Sequence, residues 1–118
     1  MLSFATSYQL IIASYFMVII YTTCHNTQEA VKLGQTLLER KLASAINLWP
    51  IQVMKGSESG IKSELAAGMF IKTLEPKITE IENTITEFHT SSMPYVGAIE
   101  IRRFNRPYRE WMGTVIKI

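Results

Sequence analysis

The 118-residue chain is one domain's worth and carries a formal charge of +2 at neutral pH, too little to argue for nucleic acid. Its single cysteine, Cys24, excludes an internal disulfide framework and a multi-cysteine metal site.

The charges are unevenly spread. No Asp, Glu, Lys or Arg occurs from Met1 through Gln28, although such residues make up 19% of the chain. Leu10 to Tyr21 is apolar except for Ser14. A helix from Leu2 to Thr23 would measure about 33 Å, enough for a hydrocarbon layer of about 30 Å. Tyr8 and Tyr21 fall where aromatic rings prefer the membrane interface. Residues 1–25 are therefore expected to form one uncleaved transmembrane helix. A buried core helix is the first alternative. A secretion signal is the second, and it lacks a basic n-region and a small-x-small cleavage site. Behind the segment come Lys32, Arg40 and Lys41, which places the body of a single-pass protein on the cytoplasmic or matrix side.

The remainder, residues 26–118, reads as a small helical domain. In "EAVKLGQTLLERKLASAINLW", Val31, Leu38, Leu42, Ala45 and Trp49 recur at helical spacing, and Pro50 stops the pattern. This amphipathic helix follows the membrane helix or continues it. "KGSESG", Lys55 to Gly60, is a surface loop. A second helix is expected over Ile61 to Glu75, with Ile61, Leu65 and Met69 in line. Pro76 marks a restart, and Ile78, Ile81, Ile85 and Phe88 then give a 3-4-3 apolar seam. The tail changes character. "VGAIEIRRF" and "WMGTVIKI" are rich in branched and aromatic residues around "NRPYRE", which predicts a β-hairpin over about residues 96–118. The expected fold is thus mainly α with a C-terminal β-hairpin, α+β overall.

Candidate chemistry is sparse. Cys24-His25 offers two ligand types, but a site needs three or four donors, and the only other histidine is the distant His89. Cys24 paired with His89 as nucleophile and base lacks any local motif. Palmitoylation of a membrane-proximal Cys24 is a further reading. No catalytic, metal-ligating or cofactor-binding residue is expected. In the tail, Arg102, Arg103, Arg106 and Arg109 interleave with Phe104, Tyr108 and Trp111, a composition suited to a partner protein or an anionic lipid surface.

An anchor, an under-sized domain and a sticky β edge together point to a non-catalytic structural or assembly subunit of a membrane complex. Its partners would be other subunits or copies of itself, and the lipid bilayer. The layout of the first fifty residues also resembles type IV pilins and pseudopilins, in which a charge-poor helix continues into an amphipathic half. That resemblance implies a filament subunit whose apolar helices bundle in the core, although Ala5 stands where those chains carry glutamate.

Overall fold

The computed structural model describes residues 15–89 and 93–118. Strand β1, Met17–Cys24, leads into helix α1, Thr27–Glu39. Strands β2, Ala45–Ser57, and β3, Gly60–Leu74, form a long hairpin. A 3-10 turn, Glu75–Lys77, precedes helix α2, Ile78–Phe88; strand β4, Val96–Ile101, and helix α3, Arg106–Val115, complete the chain. The four strands lie in the order β2-β3-β1-β4, and every pairing is antiparallel. Up to β4 the succession is β-α-β-β-α-β, the split βαβ arrangement of ferredoxin-like folds.

The stretch expected to cross a membrane is a central strand. Residues 1–14 lie outside the described residues, but Met17–Cys24 pairs with β3 on one side and β4 on the other. Val18, Ile19, Ile20, Thr22 and Thr23 are branched at Cβ, which favours the extended chain over the helix. The run looked continuous because both faces of the strand are apolar, as happens when a strand sits inside a sheet. Val18, Ile20 and Cys24 enter the main core, and Met17 joins a second cluster with Leu74, Met112 and Ile116. Among the described residues no helix is long and apolar enough to cross a membrane. The single-pass anchor, the body's placement on one side of it, and the pilin-like layout are all overturned.

Three further assignments need correction. The amphipathic helix stops at Glu39, and the chain turns at Lys41 with φ 59°, so Ala45 to Trp49 belong to β2. Ile61 to Leu74 is strand rather than helix, held in register by β2 across Ile46↔Ile71 and Leu48↔Met69. Long-range pairing here outweighs a weak helical periodicity. The C-terminal hairpin does not form: β4 pairs with β1, and Arg106–Val115 is helical. Pro107 sits in the first turn of α3, where its fixed φ and missing N–H suit a helix start. The fold is α+β around a four-stranded antiparallel sheet, not mainly α. Two expectations match the structure. The 3-4-3 seam is α2, with Ile81 and Ile85 fully buried. "KGSESG" contains the β2–β3 turn, where Gly60 takes φ 123°.

Helices α1 and α2 cover one face of the sheet. Ala30, Leu33 and Leu37 of α1 and Ile81 and Ile85 of α2 meet Val18, Ile20, Ala67, Met69 and Ile71. Hydroxyls buried near this layer are satisfied: Thr73 Oγ1 donates to the Leu42 carbonyl at 2.6 Å, and Thr22 Oγ1 donates to the Tyr95 carbonyl at 2.7 Å. On the opposite face α3 covers the end around Met17 and Leu74 through Met112 and Ile116, and the remainder, with Tyr21, Trp49, Phe70 and Tyr95, stays open in the protomer.

Candidate metal centre

At the end of β1 the chain bends through His25 and Asn26 into α1. Asn26 caps the helix, its side chain accepting from the Glu29 N–H at 2.8 Å. Glu29 answers by reaching back, Oε2 accepting from the His25 N–H at 3.3 Å. The reciprocal cap thus uses one carboxylate oxygen and fixes the side chain. The other oxygen, Oε1, is buried and has no hydrogen-bond partner among the described residues.

His89 follows the last residue of α2, and its N–H closes the helix on the Ile85 carbonyl at 3.1 Å. Its ring is held by a hydrogen bond to the Thr23 backbone. Nε2 is buried and unpartnered among the described residues, so the bond to Thr23 runs through Nδ1. A Nδ1–H donated to a carbonyl leaves the Nε2 lone pair free, the usual posture of a metal-ligating imidazole. Burial pushes the His89 pKa down, although Glu29 raises it, so the ring is neutral at physiological pH.

The third member is Cys24, 3% exposed at the end of β1. Its thiol lies 3.6 Å from the Met69 sulfur, a weak contact. Burial first, and the Glu29 carboxylate second, push its pKa to about 11. It is therefore a thiol, not a nucleophilic thiolate, unless a cation displaces the proton. The donor atoms of Cys24, Glu29 and His89 all lie within 4.8 Å of one another. Sulfur, nitrogen and oxygen donors at tetrahedral zinc distances sit about 3.3–3.8 Å apart, so binding requires a closure of about 1 Å. Two buried polar atoms without partners, facing a thiol, are what such an ion would satisfy. Cys24 and His89 also line a cavity of about 420 Å³ bordered by Tyr21, His25 and Tyr95, which gives an ion a way in.

This constellation is missing from the sequence reading, which set Cys24-His25 and His89 aside. The structure brings His89 to Cys24 and leaves His25 exposed. The available signal was local: Asn26 and Glu29 stand three apart before an apolar run, a capping pattern that aims a carboxylate at the chain just behind it.

The tail residues form a separate feature. Arg102 and Arg103 are exposed just after β4. Phe104, Tyr108 and Trp111 meet edge-to-face in sequence, with centroids 6.4 Å and 5.3 Å apart, and Arg109 lies 4.6 Å over the Phe104 ring. Arg106 pairs with Glu110 within α3 at 3.1 Å. The arginines and aromatics expected on a hairpin thus lie around a helix docked through Met112 and Ile116. None of them lines the cavity beside Cys24.

Residues 18–115 match the family model described as CutA1 divalent ion tolerance protein. The chain belongs to the CutA1 family. It is 35% identical over 99 residues to the divalent-cation tolerance protein CutA of Thermococcus kodakarensis, covering 84% of this chain and 95% of that one. The periplasmic divalent cation tolerance protein CutA of Archaeoglobus fulgidus has a similar structure, with TM-score 0.82 and 28% identity over 86% of this chain and 99% of that one. CutA1 of Pyrococcus horikoshii superposes with TM-score 0.81 at 27% identity, with the same two coverages. Membership of CutA1 replaces the membrane-subunit and pilin readings.

Proposed function

We propose that this CutA1 chain binds a divalent cation through Cys24 Sγ, Glu29 Oε1 and His89 Nε2, and acts by holding the ion rather than by turning over a substrate. The observation that carries the reading is the pair of buried, unpartnered atoms, Glu29 Oε1 and His89 Nε2, gathered within 4.8 Å of a thiol. The relatives' names, divalent-cation tolerance proteins, support the same class of cargo. Thiolate, imidazole and carboxylate together suit zinc and its neighbours in the first transition row. The two anionic donors neutralise a divalent charge. The cation is cargo here, and each donor has one task. Cys24 surrenders a proton as the ion arrives. His89 offers a lone pair fixed by Thr23. Glu29 donates Oε1 while its cap holds Oε2.

Calorimetric titration with Zn(II) tests this. One ion per chain is expected for the wild type, with affinity reduced at least about tenfold in His89→Ala and in Glu29→Gln. Wild-type affinity in both variants would refute the site.

Self-association is the second reading, favoured by the uncovered aromatic face and by the long arm, where Met54, Ile61 and Leu65 are 69%, 77% and 81% exposed. Copies of the chain would cover these surfaces, with the exposed Arg102, Arg103 and Trp111 as a contact rim.

A further inference from the structure

We propose that the hollow between the end of α1 and the end of α3 is an anion site, in which the ammonium groups of Lys41 and Lys117 hold a phosphate group, free or carried by a small ligand. Helix α1, 13 residues and about 20 Å long, separates it from the cation centre.

Backbone strain is the first observation. Among the described residues Lys41 is the one non-glycine residue with a positive φ, at 59°. It stands one past the C-cap Arg40, where helices that end this way ordinarily carry glycine. The Lys41 N–H donates to the Leu38 carbonyl and the Leu42 N–H to the Leu37 carbonyl, both at 3.0 Å, which closes α1. These bonds use main-chain atoms only, and so does the 3.0 Å bond from the Lys117 N–H to the Lys41 carbonyl. Glycine would make all three without a steric conflict at Cβ. The fold therefore has no use for the lysine side chain here, and an outlier kept in place of a better-suited residue points to function.

The surroundings of that side chain are the second observation. Lys41 and Lys117 line a hollow of about 210 Å³ whose other walls are Gly113, Thr114, Val115 and Ile116, at the end of α3. Both lysines are exposed, neither joins an ion pair among the described residues, and no carboxylate lines the hollow. Drug-sized ligands fill about 300–1,000 Å³, so this hollow suits a single oxyanion group rather than a whole nucleotide. The carbonyl end of α3 contributes about −0.5 of a charge, which two full positive charges outweigh. Lysine suits the task as a point charge with three rotatable donors. A dianionic phosphate group is the ligand that two ammonium groups neutralise. The bond between Lys117 and Lys41 holds the two backbones side by side, so part of the ordering is complete before an anion arrives.

The test is calorimetric titration of the full chain with inorganic phosphate and with methyl phosphate at about pH 8, where both are largely dianionic, against sodium chloride of equal ionic strength. One saturable site is expected for the wild type, with affinity lowered at least about tenfold in Lys41→Gly and in Lys117→Gln. In phosphate-free buffer Lys41→Gly should melt above the wild type, because relief of the positive φ exceeds the freedom that glycine adds to the unfolded chain. Methyl phosphate bound as tightly as inorganic phosphate supports the site and assigns it to an ester; inorganic phosphate bound alone supports it for the free ion. No saturable binding of either, or wild-type affinity in either variant, would overturn the proposal. A melting point of Lys41→Gly below the wild type would overturn it too, since the ammonium would then serve the fold.

Discussion

The two faces of one sheet show how differently neighbouring residues of a single strand are used. On β1, Ile20 points into the layer under α1 and α2 and is fully buried. Tyr21, the next residue, points the other way, edge-on to Phe70 at 5.9 Å and near Tyr95 at 6.0 Å. The face under α1 and α2 is closed. The opposite face bears a shallow aromatic groove of about 430 Å³, with Tyr95 62% exposed. One protomer covers that opposite face only in part, where α3 sits on Met17 and Leu74, and the residues left bare are those that suit a second copy. The metal donors sit at the rim of the covered face, where burial keeps the Cys24 thiol protonated and lowers the His89 pKa while an opening still admits an ion.

The sharpest way to break this contrast is a charge on each face in turn. Ile20→Asp buries a carboxylate among Val18, Leu33 and Ile71 and should abolish folding, a loss above about 4 kcal/mol read by circular dichroism. Tyr21→Asp should leave a folded protomer and weaken self-association, seen by analytical ultracentrifugation. Equal damage from both would mean that the two faces are equally closed.

A smaller effect is expected at Gly68, where an added Cβ would stand 3.1 Å from the Trp49 ring. Gly68→Ala should push the ring aside and cost about 1–3 kcal/mol, read as a lower melting temperature. No change would mean that Trp49 swings freely on the open face.

Cys24 gives a pH-dependent test on the covered face. Its folded pKa is raised from 9.0 to about 11, so its contribution to stability is fully present below pH 9 and is lost as pH rises through the folded value. The difference in unfolding free energy between wild type and Cys24→Ala should therefore shrink by about 2 kcal/mol between pH 8.5 and 11.5. A flat difference would mean that the thiol is solvated. The smallest effect belongs to Arg106→Ala, which removes an exposed i, i+4 ion pair with Glu110. It should change stability by only a few tenths of a kcal/mol, since solvent screens such pairs.

Part of this architecture was legible in the sequence and part was not. The seam of Ile78, Ile81, Ile85 and Phe88 reads correctly because a helix over one sheet face needs only local periodicity. The β1 segment misleads because neither face alternates with polar residues: Met17, Ile19 and Tyr21 are as apolar as Val18 and Ile20, so a paired inner strand mimics a lipid-facing helix. The β2–β3 hairpin misleads for a different reason, since Ile61, Leu65 and Met69 recur every four residues by coincidence while cross-strand pairing governs the outcome. In the tail, branched residues suggested strands, whereas Pro107 at a helix start and the edge-to-face contact of Tyr108 with Trp111 favour α3. The site could not be read from spacing at all. Cys24 and Glu29 are near in sequence, but His89 arrives only through the packing of α2 beside α1.

The most direct measurement is anomalous X-ray diffraction from crystals grown with Zn(II). An anomalous peak is expected bonded to Cys24 Sγ, Glu29 Oε1 and His89 Nε2, with the imidazole still held on Thr23. A fully occupied peak elsewhere, with these three side chains unliganded, would contradict it.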